Sequence, residues 1–342
     1  MNARRTIRRW LMTVCFGCCL VSAHAQAPQT PATARPQPSL PRQTDWFLST
    51  GSWQDDPQLY VREFGEGSRP VVMLHGGWGA EHSGLIDAVK ALSDRYRFIF
   101  YDQRGSLRSP SPDALITFDR HIDDLERLRQ ELRLEKLTIV GHSMGAVLAS
   151  AYASKYPQHV AQLVLLSPAP LKNPIPEADK ALQHQGFQAS QAFMKRPEVA
   201  QELEKYSLTR TDRPLSSREE TARSRIDFSR RMLSDVRNWH RLTGGRALFK
   251  GHVDQLTSKT YPASGWDYVR EFKQRNYPVG IVVGDHDFLD FGNPLVEKWV
   301  QGIPQIELRI VKNAGHLIWV DQPERVSEEL HRLLERHAPG MR

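Results

Sequence analysis

A serine set between two spaced glycines, Gly141-His142-Ser143-Met144-Gly145, is where residue type and spacing in this chain first combine into possible chemistry. A serine hydroxyl is a weak nucleophile at neutral pH. It needs a base, and the base needs a carboxylate to orient it. Glycines two residues to either side suit a nucleophile on a tight strand-to-helix turn, where the backbone is strained and the chains pack too closely for side chains. Such a turn lifts the hydroxyl out of a sheet and aims a helix N-terminus at developing negative charge. The competing use of the same residues is a serine that merely caps a helix.

The partners must come from elsewhere. The chain has 13 histidines, so position has to discriminate among them. His316 stands in a loop after an apolar run (306–312) and before the last amphipathic segment, whereas His184, His240 and His252 lie in charged helical stretches. Asp285, Asp287 and Asp290 follow the run PVGIVVG (278–284), at what would be the carboxyl end of a strand, where sites form in parallel sheets. Asp287 is preferred over Asp285 as the orienting acid. The glycine-rich stretch MLHGGWGAEHSG (73–84) can turn a backbone N–H inward toward a tetrahedral oxyanion. Its expected donor is Gly77, with Trp78 as the alternative, and the second donor is the amide of Met144. No G-x-x-x-x-G-K-[ST] or G-x-G-x-x-G pattern supports phosphate binding. The three cysteines, Cys15, Cys18 and Cys19, all precede residue 26, so a chain processed there has neither a thiol nucleophile nor a cysteine-held metal. The chemistry expected is acyl transfer with no metal and no cofactor, on a small-molecule or short-peptide substrate.

The elements that must position these groups alternate in period. QLYVREF (58–64), PVVMLH (70–75), RFIFYD (97–102), LTIVGH (137–142), AQLVLLSP (161–168), PVGIVVG (278–284) and IELRIVK (306–312) read as strands. Helical spacing falls between them, at 83–94, 118–134, the small-residue stretch after Ser143, NPLVEKWVQG (293–302) and the closing segment from Pro323. Continuous apolar strands alternating with helices predict an α/β fold, a mostly parallel sheet covered on both faces. The alternation stops over residues 170–275, which are charged and helical, so a helical cap is expected there. It divides the core into 46–169 and 276–342.

The 342 residues are 40% hydrophobic and 25% charged, as in an ordinary globular protein. Four of the seven net positive charges are Arg4, Arg5, Arg8 and Arg9, and no long basic run remains beyond them, which removes the support for nucleic-acid binding. Those arginines precede an apolar stretch of about 14 residues and then Ala23-His24-Ala25, the layout of an export signal (1–25) and too short to span a bilayer. Sec and twin-arginine export both fit. Removal after Ala25 leaves a periplasmic or secreted protein with no stable membrane insertion. Residues 26–45, with five prolines, read as a disordered tether.

His75-Gly76-Gly77, YDQRGSLRSP (101–110), GHSMG, GDHD and NAGH occur in the order and spacing of the α/β-hydrolase superfamily, which the chain resembles over residues 46–340. The order Ser143, Asp287, His316 is that superfamily's. Within it, HGG followed by DQRGS looks most like the prolyl aminopeptidase (proline iminopeptidase) group of serine peptidases. That resemblance implies a catalytic triad of Ser143, Asp287 and His316, an oxyanion hole of Gly77 and Met144, and cap carboxylates that hold a substrate's free amine. Glu219, Glu220 and Asp227 are the carboxylates to consider, and Trp78, Trp239 and Trp266 the aromatic residues for an apolar pocket. The chain departs from the group where HGGWG replaces HGGPG, where GHSMG replaces G-G-S-W-G, and where Leu107 replaces a glycine. Cleavage of N-terminal residues or small amides is therefore the first reading. Hydrolysis of carboxylic esters or lactones is the second, and a non-catalytic binding protein on the same fold a remote third.

Overall fold

The structure, a computed structural model, describes residues 43–51, 57–243, 249–289 and 293–336. The chain divides into two units, Met1–Leu40 and Pro41–Arg342, and the expected signal and most of the tether lie outside the described residues. No helix among the described residues is long and apolar enough to cross a membrane.

Among the described residues ten strands run β1 (Gln43–Ser49), β2 (Gln58–Phe64), β3 (Arg69–Leu74), β4 (Tyr96–Tyr101), β5 (Leu137–His142), β6 (Val160–Leu166), β7 (Lys172–Asn173), β8 (Trp266–Asp267), β9 (Val279–Gly284) and β10 (Ile306–Val311). Eight of them form one sheet in the order β1-β2-β4-β3-β5-β6-β9-β10. β1 and β2 enter antiparallel and every later pairing is parallel. Successive residues of the central strands serve opposite faces, as a pleat requires. Val72, Leu74, Ile139, Leu163, Leu165 and Ile281 belong to one core, while Val71, Met73, Val140, Val164, Leu166 and Val282 belong to the other.

The helices are α1 (Ser83–Ile86), α2 (Phe118–Glu131), α3 (Met144–Lys155), α4 (Lys180–Met194), α5 (Pro197–Lys205), α6 (Ser217–Met232), α7 (Gly251–Ser258), α8 (Tyr268–Phe272), α9 (Asn293–Val300), α10 (Ile318–Asp321) and α11 (Pro323–Arg336). The Thr117 side chain caps α2, which buries Ile122, Leu125 and Leu128 against the first core. Val326, Leu330 and Leu333 of α11 close the second. Helices α4 to α8 lie between β6 and β9, and the antiparallel β7–β8 pair joins the two ends of that insertion. A small core of Val199, Leu208, Ala222, Ile226 and Val236 holds α5 and α6 together.

Two segments differ from the sequence reading. The helix expected over 83–94 is a single turn, α1, followed by a 3-10 turn at Lys90–Leu92. Leu85, Val89 and Leu92 are buried as the spacing implies, but His82 makes no side-chain cap and Gly84 weakens the first turn. The fold also begins at Gln43, ahead of Trp46, because β1 pairs with β2 along its whole length.

YDQRGSLRSP pins the loop after β3. The Gln103 N–H donates to His75 Nε2 (3.0 Å) and its side-chain amide donates to the His75 carbonyl (2.8 Å). Asp102 accepts from the His82 N–H (3.2 Å), His82 Nδ1 (2.6 Å) and the Arg108 N–H (3.2 Å). Arg104, fully buried, donates through Nε to Asp124 of α2 at 2.9 Å. Burial alone would raise the Asp102 carboxyl, but the His82 bond and the field of His75 and His82 hold it at about 2, below the usual 3.8. A carboxyl whose folded value lies below its unfolded one adds stability above the unfolded value and loses it as pH falls through the folded one. Asp102→Asn is therefore expected to flatten the loss of stability between about pH 4 and pH 2 and to cost about 2 kcal/mol at neutral pH. Urea unfolding across a pH series measures both.

Candidate active site

The glycines of GHSMG are there for close approach. A Cβ on Gly145 would collide with the carbonyl oxygens of Leu74 and His75, and one on Gly141 with the carbonyl of Gly145, so α3 can leave β5 only against bare backbone. Ser143 takes up the strain of that turn with φ +53° and ψ −120°, a conformation that L-residues avoid and that clusters at functional sites. Its N–H donates to the Leu166 carbonyl (3.0 Å), which fixes it over the end of β6.

Leu74 at the end of β3 pairs with Gly141 of β5, and so the loop after β3 lies directly against the nucleophile turn. Gly77 has φ +68°, open to glycine at little cost, and Met144 is the first residue of α3, where its N–H has no preceding turn to donate to. Trp78 packs elsewhere. It is fully buried, its indole N–H donates to the Tyr261 hydroxyl (2.6 Å), and its ring stacks on His121 at 4.8 Å.

Asp287 follows β9 and His316 follows β10. His316 Nδ1 lies 3.1 Å from both carboxylate oxygens of Asp287, and both residues are buried. Burial pushes the Asp287 carboxyl up, but the adjacent imidazole, the Ser167 hydroxyl and the Leu289 N–H outweigh it and hold the group below its ordinary range. Asp285, the other acid considered, instead accepts the Ala314 N–H at 3.3 Å and so braces the loop that carries His316. Asp290 falls outside the described residues. His184, His240 and His252 are exposed.

Ser143, His316, Gly77 and Met144 line one cavity of about 510 Å³. Leu85, Phe228, Met232, Leu289 and Trp319 give it an apolar wall, and Asp227, Asp254, Arg230 and Arg231 add charge. Of the pocket candidates read from sequence, Trp78, Glu219, Glu220, Trp239 and Trp266 do not line it. Glu219 is committed to the capping box of α6 and to Arg213 (2.7 Å), and Glu220 is exposed. Trp239 donates to Glu202 (3.0 Å) in the cap core, and Trp266 donates to the Pro170 carbonyl (3.0 Å) and stacks on Phe118. Asp227 does reach the cavity, 3.8 Å from Arg230. Two lining carboxylates were not read from the sequence: Glu81, which pairs with Arg108, and Asp254 of α7. Asp254 is half-buried, has no ion-pair partner among the described residues, and is pushed up by burial alone. A single acid in a polar helix carries no signal of the direction its side chain takes.

Glu81, His82 and Asp102 approach closely enough to hold a cation. Arg108 already fills that role, with Nη1 3.1 Å from Glu81 and 3.2 Å from Asp102.

An eight-stranded, mostly parallel sheet whose carboxyl edge gathers a serine turn, a histidine loop and an aspartate defines an α/β hydrolase. The α/β hydrolase fold family matches residues 69–323, and the chain belongs to it. Its sequence is 28% identical over 291 residues to a proline iminopeptidase of Pestalotiopsis fici, covering 82% of this chain and 96% of that one. It is 38% identical over 116 residues to a proline iminopeptidase of Heyndrickxia coagulans, a match that spans 33% of this chain and only 40% of the relative. Among solved structures, a proline iminopeptidase-related protein from Thermus thermophilus superposes with a TM-score of 0.62 at 22% identity, over 88% of this chain and all of that one. An esterase from Thermogutta terrifontis does so with a TM-score of 0.58 at 20% identity, over 87% of this chain and all of that one. These two structures share the fold.

Proposed function

We propose that the protein is an exported serine hydrolase that works through an acyl-enzyme and acts as a prolyl-aminopeptidase-like exopeptidase on N-terminal residues or small amides. The observation that carries this reading is the cavity lined by both Ser143 and His316, with His316 Nδ1 held by buried Asp287. His316 takes the Ser143 proton as the hydroxyl attacks the carbonyl. Asp287 keeps Nδ1 protonated, so that Nε2 is the accepting nitrogen, and stabilises the imidazolium. The amides of Gly77 and Met144 receive the oxyanion, each contributing about 3 kcal/mol. The imidazolium then protonates the leaving amine, and water, activated by the same imidazole, releases the acyl group.

The choice of an amine-bearing substrate rests on the relatives and on Asp254, a carboxylate in the cavity wall that suits an ammonium group. Ester or lactone hydrolysis is the second reading. It is favoured by the apolar wall and by Met144 where the aminopeptidases carry tryptophan.

Prolyl and alanyl nitroanilides compared with nitrophenyl esters separate the two. Asp254→Asn is expected to lower the nitroanilide-to-ester ratio of kcat/KM by about 10- to 100-fold, the worth of one charged hydrogen bond. Ester turnover with no nitroanilide turnover in the unaltered protein would move the function to the second reading.

A further inference from the structure

The residue before the nucleophile is left open by G-x-S-x-G, and here it is His142. Its imidazole is buried, 7% exposed. Nε2 lies 3.3 Å from the backbone carbonyl oxygen of His316, and the two rings are 4.8 Å apart, centroid to centroid, at 51°. A carbonyl only accepts, so Nε2 carries the hydrogen. Trp319 meets the His142 ring edge-on at 4.8 Å and is itself tied by its indole N–H to the Gly84 carbonyl at 3.0 Å.

The backbone on both sides of His316 is fastened to other elements. The Gly315 N–H donates to Asp321 (2.9 Å) and the Leu317 N–H to the Met232 carbonyl at the end of α6 (3.1 Å). The His316 carbonyl meets His142, one residue from Ser143 in sequence. That contact joins the nucleophile turn to the histidine loop directly.

We infer that His142 is a positioning residue for His316: its Nε2–H bond and ring contact hold the base in register with Ser143. The inference rests on the serine-hydrolase reading. The ring must stay neutral to do this, since a second cation against His316 would oppose the imidazolium that forms during turnover. Burial, and next the field of His316, push the His142 imidazole well below its usual range; the bond to the His316 carbonyl and then Asp287 pull the other way without offsetting this, and His75 adds to the lowering.

The test uses three variants of the full chain, with melting curves to establish folding. Rates of fluorophosphonate labelling against pH, and kcat and KM on nitrophenyl acetate, are the readouts. His142→Phe keeps a ring without the donor. It should lower kcat and the labelling rate by about 10- to 100-fold with KM within about twofold, because a displaced base costs rate and not binding. The acid limb of its labelling profile should also move, by about half a pH unit or more. His142→Gln places an amide N–H near the Nε2 position and should stay within about threefold of the parent. His142→Asn, whose donor falls short of the His316 carbonyl, should be as slow as the Phe variant, and it decides the matter if the Phe variant does not fold. Labelling of the Phe or Asn variant at the parental rate and with the parental pH profile overturns the inference. So does a Gln variant as slow as the other two. A parent protein that does not label at all overturns the hydrolase reading itself, and this inference with it.

Discussion

Ser143→Ala is expected to abolish fluorophosphonate labelling and to lower kcat/KM on every substrate by about 10⁴-fold or more, while the protein remains folded. The loss is large because the proposed two-step route needs an oxygen at that one position. The amides of Gly77 and Met144 then have only an uncatalysed attack by water to assist, and the residual rate reports their contribution. The fold should tolerate the change. The Ser143 hydroxyl makes no cap bond to α3, and the turn is held by backbone, through the Ser143 N–H to Leu166 and the Ser143 carbonyl to Ala146 (2.9 Å). The strain at φ +53° points further: Ser143→Gly, equally inactive, should melt above the parent, because glycine occupies that conformation freely. His316→Ala should cost a similar factor, and the double variant little more than either single one, because base and nucleophile act as a unit. A Ser143→Ala protein that keeps more than about 1% of the activity would remove the serine from the reaction.

The parts of this architecture legible in the sequence are those where one local rule fixes the answer. β3, β5, β6 and β9 are short apolar runs because both of their faces are buried, and their positions follow from composition. β1 follows no such rule. Its residues are largely exposed, and pairing with β2 is what makes it a strand. Ser143, His316 and Asp287 stand out in the sequence as candidates because each is placed past the end of a strand, where a parallel sheet delivers its carboxyl edge. The pocket was not readable, because it depends on which way side chains of the inserted helices point. Glu219 and Asp227 both sit on α6, yet the first closes its N-terminus and the second faces the cavity. Ser216 three residues before Glu219 is a capping-box signal, and it marks that glutamate as structural before any coordinates are known. Nothing comparable marks Asp254.

The second large effect separates two neighbouring acids. Asp287→Asn is expected to lower kcat by about 10⁴-fold while Asp285→Asn costs less than about tenfold. Asparagine at 287 can present its NH₂ to His316 Nδ1. That nitrogen then accepts, the proton moves to Nε2, and the imidazole can no longer take the serine's proton. Asp285 receives the Ala314 N–H at 3.3 Å, which an asparagine carbonyl can receive too, and its other contact is a 3.8 Å ion pair with the exposed Lys312. The pH profile gives an independent check. Asp287 is held below the ordinary carboxylate range, so it stays ionised wherever an imidazole titrates. On a nitrophenyl ester, which offers no ammonium to Asp254, kcat/KM in the parent should therefore rise through a single acid limb belonging to the base, with no step from Asp287 above about pH 4. The same depressed value means that any stability from the Asp287–His316 contact is present above the unfolded carboxyl's range and lost only as pH falls through the folded one. If Asp285→Asn proves the more damaging of the two, the orienting acid is Asp285, and the 3.1 Å contact at Asp287 is structural only.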